Sequence, residues 1–399
     1  MNMGPKIGLC GSYGGMNLGD EAILEVILQE LKKELGADVT VFSKNPEDTQ
    51  NRHKVRALPV GEMHKDEIFA EFKKMDLFLV GGGGILYEGM AEQFLRQIQW
   101  ARECGLPVVL YAVGAGPFSS AETKNMTRDT LNSVDMIILR EQEAKKALND
   151  IGVEKPMEVT ADPALLLQPE PFEKEKLEKI GIQTRRNAPL VGFSVREPGQ
   201  AAPDIQVEQY HEVIANAADF MVERFKAQIL FVPMERRAQK DLQNSHAIIA
   251  KMVNAQSAHV LNEELHSSQI LGLMKHIHFA VGMRLHFLIF AALQRVPFVP
   301  LPYASKITGF LQSLDMPMPP LKEINAGKLC AFLDRCWDGR QSIRQRLIEK
   351  MPPLQKQAAR NIKLLKEFLK TYKKTRLIKK NPARRQQKRP ARFQEENLS

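Results

Sequence analysis

Two polar residues stand inside an apolar run where chemistry can be done: Arg284 and His286, in Phe279-Ala280-Val281-Gly282-Met283-Arg284-Leu285-His286-Phe287-Leu288-Ile289-Phe290. The first apolar stretch reads as a buried strand and the second as the start of a helix. Both side chains then fall where a parallel strand hands over to its helix. In open α/β sheets that edge, outside the carboxyl ends of the strands, is where ligands bind. Arginine offers a fixed fork of donors to a carboxylate or phosphate, and histidine moves protons near neutral pH. The pair predicts an enzyme that grips an anionic substrate and protonates it. The competing reading is structural: buried histidines more often satisfy the core than catalyse. A buried guanidinium nevertheless demands an anion, either a protein carboxylate or a ligand.

Other residues fall at the same kind of position. Ser194-Val195-Arg196 ends one strand with a second arginine, and Tyr303 and Lys306 follow another. Three cations at strand ends of one half suit a small, highly charged anion. In the other half, Gly11-Ser12-Tyr13-Gly14-Gly15-Met16-Asn17-Leu18-Gly19-Asp20-Glu21 closes the first strand. Glycines there allow positive φ and close backbone approach, and the next helix offers free N–H groups. The spacing is neither a dinucleotide fingerprint nor a P-loop, which weighs against NAD and ATP. Asp20 is expected either to cap the helix or, with Asn17, to hydrogen-bond sugar hydroxyls. Gly81-Gly82-Gly83-Gly84 and Gly114-Ala115-Gly116-Pro117 repeat the device, so three glycine-rich turns at one sheet edge imply a ligand cleft.

These positions require alternating strands and helices. Lys6–Cys10, Asp38–Ser43, Leu77–Val80, Pro107–Val113 and Met136–Leu139 read as strands, with helices over Asp20–Leu35, around Trp100 and through Leu148. Alternation at this spacing means a parallel, doubly wound sheet. Around residues 168–189 a Pro-rich, charged stretch ending in Arg185-Arg186-Asn187-Ala188-Pro189 reads as an interdomain connection. A second series then begins: strands at Leu190–Val195, Gln228–Val232, Ile277–Val281 and Pro297–Leu301, and helices over Val207–Phe225 and around Ile248. The expected organisation is an N-terminal Rossmann-like domain over 1–175 and a second over 185–340. A long C-terminal helix over 341–372, able to cross back onto the first half, and a basic tail over 373–399 complete it. The cleft between the halves is the expected active site.

The 399-residue chain is 44% hydrophobic and 26% charged, ordinary for a soluble globular protein with two cores. No apolar run reaches membrane-spanning length, and the N-terminus leaves no room for a signal peptide before the first glycine-rich turn. Cys10, Cys104, Cys330 and Cys336 show no zinc or disulfide spacing. A cytoplasmic protein is expected. Ten Lys or Arg and no Asp or Glu lie between Lys373 and Arg392, so the last 27 residues carry +8 of the net +9. The body is therefore near neutral. Such a tail is expected to be disordered at its end and to act as an anchor to an anionic membrane surface, as a non-specific nucleic-acid contact, or simply as a solvated segment. No specific nucleic-acid partner is expected.

At this point the chain resembles the polysaccharide pyruvyl transferases, which add pyruvate from phosphoenolpyruvate to sugars as a ketal. The matching segments are Gly14-Gly15-Met16-Asn17-Leu18-Gly19-Asp20-Glu21-Ala22, Gly81–Gly84, Gly114–Pro117, Ala161-Asp162-Pro163-Ala164, Ser194-Val195-Arg196, Gly282-Met283-Arg284-Leu285-His286 and Tyr303-Ala304-Ser305-Lys306. The resemblance implies two Rossmann-like domains similar to glycosyltransferase type B. It implies that Arg196 and Arg284 hold phosphoenolpyruvate and that His286 is the general acid; Lys306 is expected on the donor side with them, and Asn17, Asp20, Gly83 and Gly84 are expected to face the sugar or lipid-linked saccharide acceptor. Phosphoenolpyruvate enters as co-substrate, with no cofactor and no metal required. Two segments depart from the family pattern: Arg140-Glu141-Gln142-Glu143-Ala144, and Val232-Pro233-Met234-Glu235 where a histidine is frequent. Both bear on the acceptor more than the donor. A nucleotide-sugar glycosyltransferase of the same architecture is the alternative, although no acidic ribose partner stands out in the second half.

Overall fold

The computed structural model describes residues 4–183, 188–198, 205–237, 240–301, 305–316, 318 and 323–380. The Arg185-Arg186-Asn187 junction, Tyr303 and the chain beyond Lys380 lie outside that set. Both sheets belong to one compact unit, Met1–Asn361, and the chain from Ile362 forms a second.

The first sheet holds seven parallel strands: β1 Lys6–Cys10, β2 Asp38–Ser43, β3 Arg56–Pro59, β4 Leu77–Leu86, β5 Val108–Ala115, β6 Met136–Leu139 and β7 Met157–Val159, in the order β3-β2-β1-β4-β5-β6-β7. The second holds β8 Leu190–Ser194, β9 Gln228–Phe231, β10 Ala258–Val260, β11 Phe279–Gly282 and β12 Phe298–Pro300, in the order β10-β9-β8-β11-β12. Helices cover both faces of such sheets, so central strands read as unbroken apolar runs. Leu77, Phe78, Leu79 and Val80 are each 0% exposed. In each sheet the strand order reverses once, between β1 and β4 and between β8 and β11, where Leu9 lies beside Leu79 and Phe193 beside Val281. Crevices open at such switch points. Asn17, Asp20, Gly83 and Gly84 fall at the first reversal, and Arg196, Arg284 and His286 at the second.

The glycines of Gly81–Gly84 were expected to form a turn after a strand, but they lie inside β4. A Cβ on Gly81 would sit 2.1 Å from the Tyr111 carbonyl oxygen, and one on Gly82 would sit 2.5 Å from Ile23 Cγ2. Strand β5 and the helix Leu18–Leu35 pack too closely for any side chain there. The single C-terminal helix expected over 341–372 is two helices, Arg340–Ala358 and Arg360–Lys380, so helix runs eight residues into the expected tail. The first of them returns to the N-terminal half. Gln355 Nε2 donates to Leu165 O at 3.1 Å, and Asn361, just past its end, donates through Nδ2 to Ala161 O at 3.0 Å.

Candidate active site

The turn after β1 is fixed from several sides. Gly14 has φ +68°, and a Cβ there would fall 2.3 Å from Ser43 Oγ, so only glycine fits. Its N–H donates to Glu21 Oε1 at 2.9 Å, and Glu21 Oε2 lies 2.8 Å from His53 Nε2. The Tyr13 hydroxyl donates to the Gly81 carbonyl inside β4. Asn17, not Asp20, is the N-cap of Leu18–Leu35: its Oδ1 accepts the Gly19 N–H at 2.9 Å. Asp20 is thereby released from capping. Its Oδ1 lies 3.4 Å from where a Cβ on Gly83 would stand, with Gly83 at φ +88°. Burial pushes the Asp20 carboxyl above the ordinary aspartate range, against the pull of His286, Lys306 and Arg140.

His286 occupies the first turn of Leu285–Leu293 and crosses to the other half. A Cβ on Gly19 would fall 2.0 Å from its Nδ1, so the imidazole lies directly on the backbone of the first helix. Its Nε2 is buried with no hydrogen-bond partner among the described residues, and Asp162 Oδ2 stands 3.6 Å away, beyond hydrogen-bond reach. Asp162 Oδ1 accepts the Ala164 N–H at 2.9 Å, and its Oδ2 accepts from Arg140 Nη1 at 3.0 Å. Arg140 donates a second bond through Nε to Glu141 Oε2 at 2.7 Å. Burial works against ionisation of Asp162, but His286, Arg140 and the Ala164 amide outweigh it and hold the carboxyl at about 2. Gly84 leaves room for the Arg140 guanidinium, since a Cβ there would stand 3.3 Å from Nη2. Arg140 and Asp162 lie in segments to which the sequence alone attaches no role. Their signal was positional, because each follows a strand end, β6 and β7, on the edge that carries the glycine-rich turns.

The anion that a buried Arg284 requires is supplied by the protein. Only 8% exposed, it donates through Nε to Asp241 Oδ2 at 3.0 Å and through Nη2 to Glu235 Oε2 at 2.7 Å and to Asp241 Oδ1. Glu235 is also met by Arg237. Of the two anions the sequence left open, a protein carboxylate or a ligand, the structure shows the first: two carboxylates neutralise the guanidinium here. Asp241, 0% exposed, also accepts the Met234 and Glu235 amides at 3.0 Å each, which fixes the turn after β9. Neither acid was legible as a site residue, since nothing in their spacing announces a meeting with Arg284. Arg196 is half-buried and donates through Nε to the Glu197 carbonyl at 3.0 Å. Lys306 lies exposed in Ser305–Ser313, close enough for its charge to act on Asp20.

The two glycine-rich and acidic turns are stitched together. Asn17 and Glu235 form an antiparallel bridge, with Leu18 N donating to Met234 O at 2.8 Å and Arg236 N to Met16 O at 3.0 Å. The arrangement joins one buried imidazole, two differently poised aspartates and several cations at the carboxyl edge of both sheets. It is equipped for proton transfer to an anionic substrate. Among the described residues no group of three or more His, Cys, Asp or Glu is placed to hold a metal ion.

Two parallel sheets whose ligand edges face each other define the glycosyltransferase type B class of fold. Solved structures agree. A glycosyltransferase from Rickettsia africae, 13% identical, aligns with a TM-score of 0.61 over 93% of this chain and 100% of its own. The UDP-GlcNAc 2-epimerase of Neisseria meningitidis, bound to UDP-GlcNAc, is 13% identical with a TM-score of 0.57 over 92% and 99%. A UDP complex of MnaA from S. aureus is 10% identical with a TM-score of 0.62 over 88% and 92%. At these identities the likeness is one of fold. The polysaccharide pyruvyl transferase family matches residues 17–305, well over half of the sequence, and the chain belongs to it. No curated protein matches the chain.

Proposed function

We propose that this protein transfers the pyruvyl group of phosphoenolpyruvate to two hydroxyls of a sugar in a cell-surface polysaccharide or its precursor, forming a ketal and releasing phosphate. The observation that carries this reading is His286, a buried imidazole with an unpartnered Nε2 set between Asp162 and the first turn of the opposite half. Protonation of the donor at C3 turns its methylene into a methyl and leaves an oxocarbenium-like C2. One acceptor hydroxyl adds to C2 and loses its proton, and phosphate departs as the second hydroxyl adds. A placed acid contributes roughly 100- to 10,000-fold.

In this scheme His286 delivers the proton, with the Asp162 carboxylate, held low in part by Arg140, 3.6 Å from its Nε2. Lys306 and Arg196 meet the donor's carboxylate and phosphate, as would Arg284 on yielding Glu235. Asp20, whose carboxyl is raised by burial, is suited to take the acceptor's proton, with Gly83 beside it and Gly84 beside Arg140 on the acceptor side. The test is phosphate release from phosphoenolpyruvate with a panel of lipid-linked and nucleotide sugars, using wild type and His286→Gln. The expected outcome is release dependent on one acceptor, with His286→Gln keeping donor affinity but losing about 100-fold in turnover. A His286→Gln rate within about threefold of wild type removes the acid role. Nucleotide release from a nucleotide sugar in place of phosphate release assigns the glycosyltransferase alternative.

A further inference from the structure

The second sheet has another cavity, at the end away from His286. It encloses about 530 Å³, within the range that holds small organic ligands. Pro189, His278 and Pro297 line it, and each directly precedes a strand, β8, β11 or β12. These three strands are neighbours, so the cavity lies at their amino ends, opposite the edge that carries Arg196, Arg284 and His286. Its other wall is the junction of helices Ala326–Asp338 and Arg340–Ala358, contributing Trp337, Arg340 and Arg344, with Lys275 beside them.

The lining is cationic, with no Asp or Glu among its described residues. Lys275 and Arg344 are exposed and have no ion-pair partner among the described residues. Arg340 is held in place, its Nη1 donating to Trp337 O at 2.8 Å and its guanidinium 5.2 Å from the Trp337 ring centre. His278 Nδ1 accepts the Leu190 N–H at 3.1 Å, so the neutral ring carries its proton on Nε2. Burial, with the Arg344 charge adding to it against the Leu190 hydrogen bond, pushes His278 below the usual histidine range. Three permanent cations without a carboxylate repel one another unless an anion joins them. The chain's own tail is excluded as that anion, being basic itself.

We propose that this cavity binds a phosphate monoester whose organic part is apolar. A phosphate monoester carries close to two negative charges and three acceptor oxygens near pH 7, which matches Lys275, Arg340 and Arg344, with the arginine forks suited to phosphate geometry. The prolines and the Trp337 edge supply the apolar wall. The same head group occurs on soluble organic phosphates and on phosphatidic acid in a lipid surface. The inference stands apart from the reaction proposed above, because it uses the opposite edge of the sheet.

Trp337 is one of only two tryptophans, so Trp100→Phe in the full chain makes its fluorescence a reporter of the cavity. Phenyl phosphate should change that fluorescence saturably, and phenol should not. Lys275→Gln with Arg344→Gln, both exposed, should leave the thermal midpoint in place and weaken the response by about tenfold or more. Vesicles of phosphatidylcholine with phosphatidic acid form the second arm, against phosphatidylglycerol vesicles of equal charge, which the basic tail meets equally well. A stronger response to phosphatidic acid than to phenyl phosphate assigns a lipid source, and the reverse a soluble one. If neither phosphate probe moves the Trp337 signal, or the double variant titrates like its parent, the proposal is overturned.

Discussion

His286 owes its place to a side chain that is missing from the opposite half. Gly19 presents bare backbone to the imidazole, and a Cβ there would lie 2.0 Å from Nδ1. Gly19→Ala should therefore push the ring out of its seat, costing about 1–3 kcal/mol of stability and lowering turnover about as far as His286→Gln does. Paired turnover and thermal-melt measurements check this, and unchanged turnover would separate Gly19 from the acid. Asp162 depends on the opposite circumstance, a crowd of donors. Its folded-state carboxyl, near 2, lies below the ordinary aspartate range. It thus contributes stability that is present above about pH 4 and is lost as pH falls toward 2. Asp162→Asn leaves buried Arg140 with Glu141 alone and should destabilise the fold by about 3–5 kcal/mol at neutral pH. It should also flatten the acid limb of the stability curve, which denaturant titrations from acid to neutral pH would reveal. Arg284, His286 and Asp20 were legible because polar residues inside apolar or glycine-rich runs announce themselves. Arg140, Glu235 and Asp241 were not. Their partners lie 22, 49 and 43 positions away in sequence, and only the packing brings them together.

At the scale of elements, the sequence betrayed the centre of each sheet better than its rim. The strands that went unread, β3, β7 and β10, are all edge strands in the observed order. Each is three or four residues long and only partly buried, so none carries the continuous apolar run that marks a strand covered on both faces. Packing between elements also sets a titration. Glu30 on the helix Leu18–Leu35 accepts the Tyr111 hydroxyl of β5 at 3.0 Å, and burial raises its carboxyl to about 7 against that bond. A raised carboxyl contributes stability that is full below its unfolded value near pH 4.3 and is lost as pH rises through about 7. Glu30→Gln should therefore be more stable than wild type at pH 8, by up to about 3 kcal/mol. It should be no better at pH 4. Urea unfolding at the two pH values decides it, and an equal effect at both would place the cause outside ionisation.

At the scale of the whole molecule, a cut after Lys380 removes most of the basic tail and leaves the helix Arg360–Lys380 whole. Removal of residues 381–399 takes away Arg384, Arg385, Lys388, Arg389 and Arg392. If these anchor the protein, at about 1 kcal/mol per basic residue near an anionic surface, truncation should reduce sedimentation with anionic vesicles. The difference should shrink in high salt, with turnover of a soluble acceptor unchanged. Equal sedimentation of both forms would leave the tail a solvated segment.

The stitch between Asn17 and Glu235 has a thermodynamic corollary. Glu235 lends its backbone to the Met16–Leu18 turn and its carboxylate to Arg284. On the proposed reading, a donor anion at Arg284 competes with that carboxylate, and whatever this does to the grip on the Met16–Leu18 turn alters affinity for the acceptor by some factor. Linkage then requires the acceptor to alter donor affinity by the same factor. On the proposed reading the two co-substrates would then act as reciprocal effectors through a single glutamate, and measuring either one's binding in the presence of the other measures both.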